Sequence, residues 1–88
     1  MANRRALKRT INLICEALFA DCIAASLYGN NRENAQALLS SIIKTEIDFT
    51  SRISHPEPGM PAKQYFRQLR SDFSSRVSEI FDQIHNNN

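Results

Sequence analysis

Two cysteines and two histidines are the side chains of this 88-residue sequence most suited to act as nucleophiles, bases or metal ligands. Cys15 and Cys22 lie seven residues apart, which on one helix separates them by about 10.5 Å along the axis. That separation is too long for a disulfide, and the spacing matches no zinc motif. We therefore predict two reduced core thiols, with no metal and no cofactor.

Neither histidine is placed in the sequence to activate a cysteine. His55 precedes a proline-rich segment, and His85 lies at the end of the last predicted helix. The sequence contains no glycine-rich phosphate loop and no HExxH motif. These features predict a protein that is not an enzyme.

The segment NRRALKR at residues 3–9 places four cations at the start of the first predicted helix. Cations are mildly unfavourable there, because a helix N-terminus carries partial positive charge. In a bundle they join later cations to form a predicted basic end, which consists of Arg4, Arg5, Lys8, Arg9, Arg52, Lys63 and Arg67. Such an end attracts anions, so nucleic acid or another polyanion is one candidate partner. The alternative is a solvated rim, which the formal net charge of only +2 favours.

Glu46 is the one charged residue that falls inside an apolar stripe of the second predicted helix. A buried carboxylate requires a partner, and counting back from the proline loop places Arg70 at the same level. We therefore predict a structural Glu46–Arg70 ion pair, with a hydrogen bond from Thr50 or Tyr65. A ligand-binding carboxylate is the alternative role.

Three apolar stripes of helical spacing position these residues. They predict helices at about 4–28, 32–54 and 61–85, with Asn3, Gly29 and Asn30 or Asn31 as caps and 86–88 as a frayed tail. SHPEPGMP at 54–61 is the clearest break. The simplest fold is a single all-α domain over 1–88, an up-down-up antiparallel three-helix bundle, either alone or dimerised into a larger helical bundle.

Two of the predicted helices carry more apolar surface than one core needs. Phe19, Ile23 and Leu27 lie on the back of the first helix, and Ile43 and Ile47 widen the apolar arc of the second. Such surfaces often bind partners, so these five residues form the candidate self-association surface of a homodimer, or bind another helical protein. The alternative is a wide core stripe with a few surface apolar residues left over.

The basic start followed by an apolar stretch also resembles a signal peptide in outline. Glu16 and Asp21 interrupt that stretch, so we expect neither a cleaved signal nor a membrane span, and a cytoplasmic protein. The function that the sequence favours is a small non-enzymatic helical module for protein–protein interaction. Polyanion binding through the basic end is the alternative.

Overall fold

A computed structural model describes residues 4–28 and 32–86 of the chain. They form α1 (Arg4–Tyr28), α2 (Arg32–Ser54) and α3 (Ala62–Asn86), with no strand among the described residues. The expectation of an all-helical protein with three helices is confirmed. The caps predicted at Asn3, Gly29, Asn30 and Asn31 lie outside the described residues, as do positions 87–88 of the predicted tail.

Prolines separate α2 from α3. The last amide bonded to α2 is that of His55, which donates to the Ser51 carbonyl at 3.0 Å. Pro61 lies just before α3, and its carbonyl accepts the Tyr65 amide at 2.9 Å. Pro61 therefore supplies the first acceptor of α3 rather than its first helical residue, which is Ala62.

Each helix buries one stripe of side chains that recur every three or four residues. On α1 the stripe is Ile11, Cys15, Leu18 and Cys22; on α2 it is Ile42, Thr45, Phe49 and Ile53; on α3 it is Phe66, Leu69, Phe73, Ile80 and Ile84, with the half-buried Val77 between Phe73 and Ile80. The polar member, Thr45, donates its hydroxyl to the Ser41 carbonyl at 2.8 Å. Its burial therefore leaves no unsatisfied donor.

The packing is most extensive between α1 and α2, and each of these helices also contacts α3. The Phe49 and Phe73 rings meet edge-to-face with centroids 5.2 Å apart, which joins α2 to α3. Nearby, the Tyr65 hydroxyl donates to the Arg52 carbonyl at 2.9 Å and so occupies an acceptor in the last turn of α2. The described chain is elongated, with extents of 46 × 19 × 16 Å.

Two adjacent isoleucines of α2 provide a matched test of this core. Ile42 is 1% exposed and Ile43 is 45% exposed. Ile42→Ala should lower the free energy of unfolding by about 2–5 kcal/mol, because it leaves a cavity. Ile43→Ala should change it by about 0.5 kcal/mol or less when measured on dilute protein. Urea unfolding followed by circular dichroism measures both, and equal losses would contradict the assignment of Ile42 to the core.

Candidate functional site

Four of the five residues of the candidate self-association surface are exposed. The exposed fractions are 41% for Ile23, 74% for Leu27, 45% for Ile43 and 63% for Ile47. Phe19 is half-buried and packs against the core. We call these five residues the apolar face.

The sides of α1 and α2 that the apolar face occupies follow from the residues that line the cleft at the basic end. Arg5 of α1 and Ser54 of α2 line the same cleft. Ile23 lies about five full turns after Arg5, so both residues share one flank of α1. Ile43 likewise falls within about 20° of Ser54 on the helical wheel of α2. Ile23 and Ile43 therefore border the junction of the two helices from opposite sides.

Two further exposed apolar side chains were not part of the predicted surface. Leu13 of α1 is 58% exposed and Phe81 of α3 is 46% exposed. The sequence signal for Leu13 was its position on the helical wheel, about 160–200° from Ile11 and Cys15. Phe81 contacts its neighbour His85, with ring centroids 4.2 Å apart.

Three cations of the predicted basic end come together in one cleft. Arg4, Arg5 and Lys8 line it with Ile53 and Ser54, around a volume of about 430 Å³. The Arg4 guanidinium also lies 5.6 Å from the centre of the Phe66 ring. Side chains of all three helices therefore lie close together around this cleft.

Arg52 differs from the other cations of the basic end because it is already paired. Its guanidinium lies 2.9 Å from the Asp48 carboxylate and 3.9 Å from that of Asp72. It also covers the Phe49 ring at 4.7 Å. Arg9, Lys63 and Arg67 are exposed, and none of them belongs to an ion pair within the described residues. The cations most available to an anion are therefore those of α1 and the start of α3.

The predicted Glu46–Arg70 ion pair does not form; the ion pairs within residues 4–28 and 32–86 both involve Arg52. On α3, Asp72 and Arg70 fall on opposite flanks of the core residue Phe73, and the Asp72 flank meets α2. Arg70 is exposed on the other flank. Glu46 is half-buried beside Cys15, on the side of α2 that packs against α1.

The neighbours proposed for Glu46 also bond elsewhere. The Thr50 hydroxyl donates to the backbone carbonyl of Glu46 at 2.7 Å and not to its carboxylate. Tyr65 donates to the Arg52 carbonyl. The predicted pair was wrong because residue spacing gives only the height at which Glu46 of α2 lies relative to α3. It does not give which flank of each helix faces the other.

Both cysteines are free and buried. Burial raises the pKa of the Cys15 thiol from 9.0 to about 11, and the nearby Glu46 carboxylate contributes to the rise. Burial also raises the pKa of Cys22, whose sulfur donates to the Ala35 carbonyl at 3.6 Å. A nucleophilic cysteine requires the opposite shift, so these thiols act as core residues.

The apolar character of α1 extends beyond its buried stripe. Residues Arg4–Leu27 are long and apolar enough on average to cross a membrane, although core helices and signal sequences pass the same test. Within its most apolar window, 22% is buried in this fold. Much of the apolar character of α1 therefore faces outward.

Comparisons with known proteins give no relative, because no protein-family model, curated protein or solved structure matches this chain. Over its described residues, the chain is an all-α protein of three packed helices.

The raised pKa of Cys15 predicts a pH-dependent stability. Between pH 9.0 and about 11 the unfolded chain loses the thiol proton while the folded chain keeps it. The contribution of Cys15 to the free energy of unfolding is therefore fully present below pH 9.0 and is lost as the pH rises to about 11. The difference in free energy of unfolding between wild type and Cys15→Ala should shrink over this range in urea titrations.

Taking that difference cancels the titration of tyrosines and lysines, which both proteins share. A difference that stays constant up to about pH 11 would contradict the shift. Glu46→Gln should narrow the pH range of the loss, because it removes the smaller, electrostatic cause of the raised pKa.

Proposed function

We propose that this protein is a small, non-enzymatic interaction module that self-associates through α1 and α2. The observation that supports it is the exposure of Ile23, Leu27 and Ile43, with Ile47, at 41–74%. Large contiguous apolar patches are uncommon on monomeric proteins and often mark binding surfaces. A dimer that covers this face removes its apolar surface from water, at about 25 cal/mol per Å².

The proposal includes an up-down-up arrangement of the helices. Its support is the sequence of contacts: the end of α1 meets the start of α2 through Cys22 and Ala35, and Arg5 lies near Ser54. Between α2 and α3, Arg52 contacts Tyr65 while the earlier residue Phe49 contacts the later residue Phe73. Antiparallel neighbours leave the outer sides of α1 and α2 open along their length, which suits assembly into a larger helical bundle.

Charge introduced into the apolar face should break the dimer. Leu27→Glu and Ile23→Glu place a carboxylate where the proposal requires apolar contact, so the dissociation constant should rise at least about tenfold, which corresponds to about 1.4 kcal/mol. Sedimentation equilibrium or light scattering over a range of concentrations measures this change. Circular dichroism shows whether each variant keeps its helices.

Phe81→Glu is the matched control, because Phe81 is 46% exposed but lies on α3. It should leave the dissociation constant unchanged. Wild-type protein that stays monomeric at high micromolar concentration would overturn the proposal. Equal weakening by Phe81→Glu and Leu27→Glu would show that association is not confined to the apolar face.

A second candidate function is polyanion binding at the basic end, which the cleft lined by Arg4, Arg5 and Lys8 favours. Among the described residues, no acidic side chain lines that cleft. The alternative explanation is that these cations only complement the C-terminus of α2, whose last carbonyls carry partial negative charge.

Binding to heparin or single-stranded DNA, followed by fluorescence anisotropy, separates the two explanations. If three cations contact phosphates of single-stranded DNA, the logarithm of the affinity should fall with that of the salt concentration with a slope of about −2. Arg5→Gln with Lys8→Gln should flatten that slope. Arg76→Gln, an exposed cation on α3 outside the basic end, is the control. No binding at low salt would eliminate this function.

A further inference from the structure

The side of α1 that faces away from the core carries a second apolar stripe, distinct from the apolar face except at Leu27. We call it the outer seam, and it consists of Leu13, Ala17, Ala20, Ala24 and Leu27, all exposed. These residues recur at spacings of 4, 3, 4 and 3. That is the heptad spacing of a helix that packs lengthwise against another helix.

From this seam we infer that two copies of the chain pair through α1 in antiparallel orientation, with Leu13 opposite Ala24 of the partner subunit. The inference rests on the proposed self-association; it narrows the pairing from α1 and α2 to α1 alone and states the direction in which the two helices run. It also accounts for the apolar character of α1, of whose most apolar window only 22% is buried.

The charges that flank the seam argue against a parallel pair. Glu16 immediately precedes the seam residue Ala17, and Asp21 immediately follows the seam residue Ala20. In a parallel coiled coil, the position of Glu16 on one helix faces the position of Asp21 on the other. A parallel pair would therefore bring Glu16 close to the partner's Asp21 twice, and like charges in that position are repulsive. In the antiparallel register, Glu16 lies instead beside the partner's Ile23.

The side chains of the seam also fit this register. Leu13 of one copy meets Ala24 of the other, Ala17 meets the partner's Ala20 at the centre, and Leu27 lies opposite the partner's Thr10. Leucine against alanine keeps the layers filled while the helix axes approach to about 8 Å, the short end of the usual range. The arrangement is isologous, as a two-fold axis requires, because each contact occurs twice.

The ends of the molecule are complementary in charge in this orientation. The basic end has Arg4, Arg5 and Lys8 in one cleft. Toward the opposite end, exposed acids predominate: Asp21, Glu33, Glu79 and Asp82. A head-to-tail pair places each basic end near the acidic end of the other copy, which supports a second copy of this chain as the occupant of the seam.

The size of the seam sets the expected affinity. From Leu13 to Leu27 the seam is about 21 Å long, and one helix pair of this length buries less than a standard interface of about 1,600 Å². The dimer should therefore be weak and dissociate in the micromolar range.

Disulfide trapping with introduced cysteines tests the orientation. We would mix Leu13→Cys protein with Ala24→Cys protein under mild oxidation and identify the products by mass. The mixed dimer should form at least about tenfold faster than dimers of Phe81→Cys, which report collision alone. Leu13→Cys by itself should link no faster than that control. Wild-type protein is the blank, because Cys15 and Cys22 are both buried.

The outcomes separate this inference from the proposed self-association. Rapid linking of Leu13→Cys to itself would show a parallel pair and overturn the inference. Dimers in light scattering without faster formation of the mixed disulfide would overturn the inference while leaving self-association intact. Monomers in light scattering, with no faster linking of any variant, would overturn both. Circular dichroism of each cysteine variant excludes unfolding as the cause.

Discussion

The structure depends on one constraint, which is that three packed helices can bury only one stripe from each. The buried stripes of α1, α2 and α3 meet in a single core with Ile42 and Ile53 almost inaccessible to solvent. α3 conforms to this constraint closely, because Phe81 is its one large apolar side chain exposed among the described residues. α1 and α2 do not, and their surplus apolar side chains form the apolar face and the outer seam.

The polar side chains of the described residues surround that core. Within the described residues, no buried side-chain nitrogen or oxygen lacks a hydrogen-bond partner. Arg52 organises one side through Asp48, Asp72 and the Phe49 ring. These contacts are largely exposed, so each stabilises the fold only slightly. The Arg52–Asp72 contact shows which flanks of α2 and α3 the core packing turns toward each other.

The two candidate functions belong to different parts of the same molecule. The apolar face and the outer seam lie on the exposed sides of α1 and α2, whereas the cleft of Arg4, Arg5 and Lys8 lies where α1 begins. A dimer formed through α1 would hold two such clefts at opposite ends. Self-association and anion binding are therefore compatible in one assembly, and each can be measured without the other.

The sequence by itself determined the three helices, the break at the prolines and most members of the buried stripes, because helical periodicity and proline chemistry act locally. It also determined that a single core cannot bury Ile23, Leu27 and Ile47, which are exposed. Only the tertiary structure decided the pairing of charges between helices. Arg52 of α2 lies near Asp72 of α3, while Glu46 lies beside Cys15 and Arg70 faces away from α2. The reason is that an ion pair depends on the rotation of two helices about their axes, and that rotation is set by the packing of the whole core.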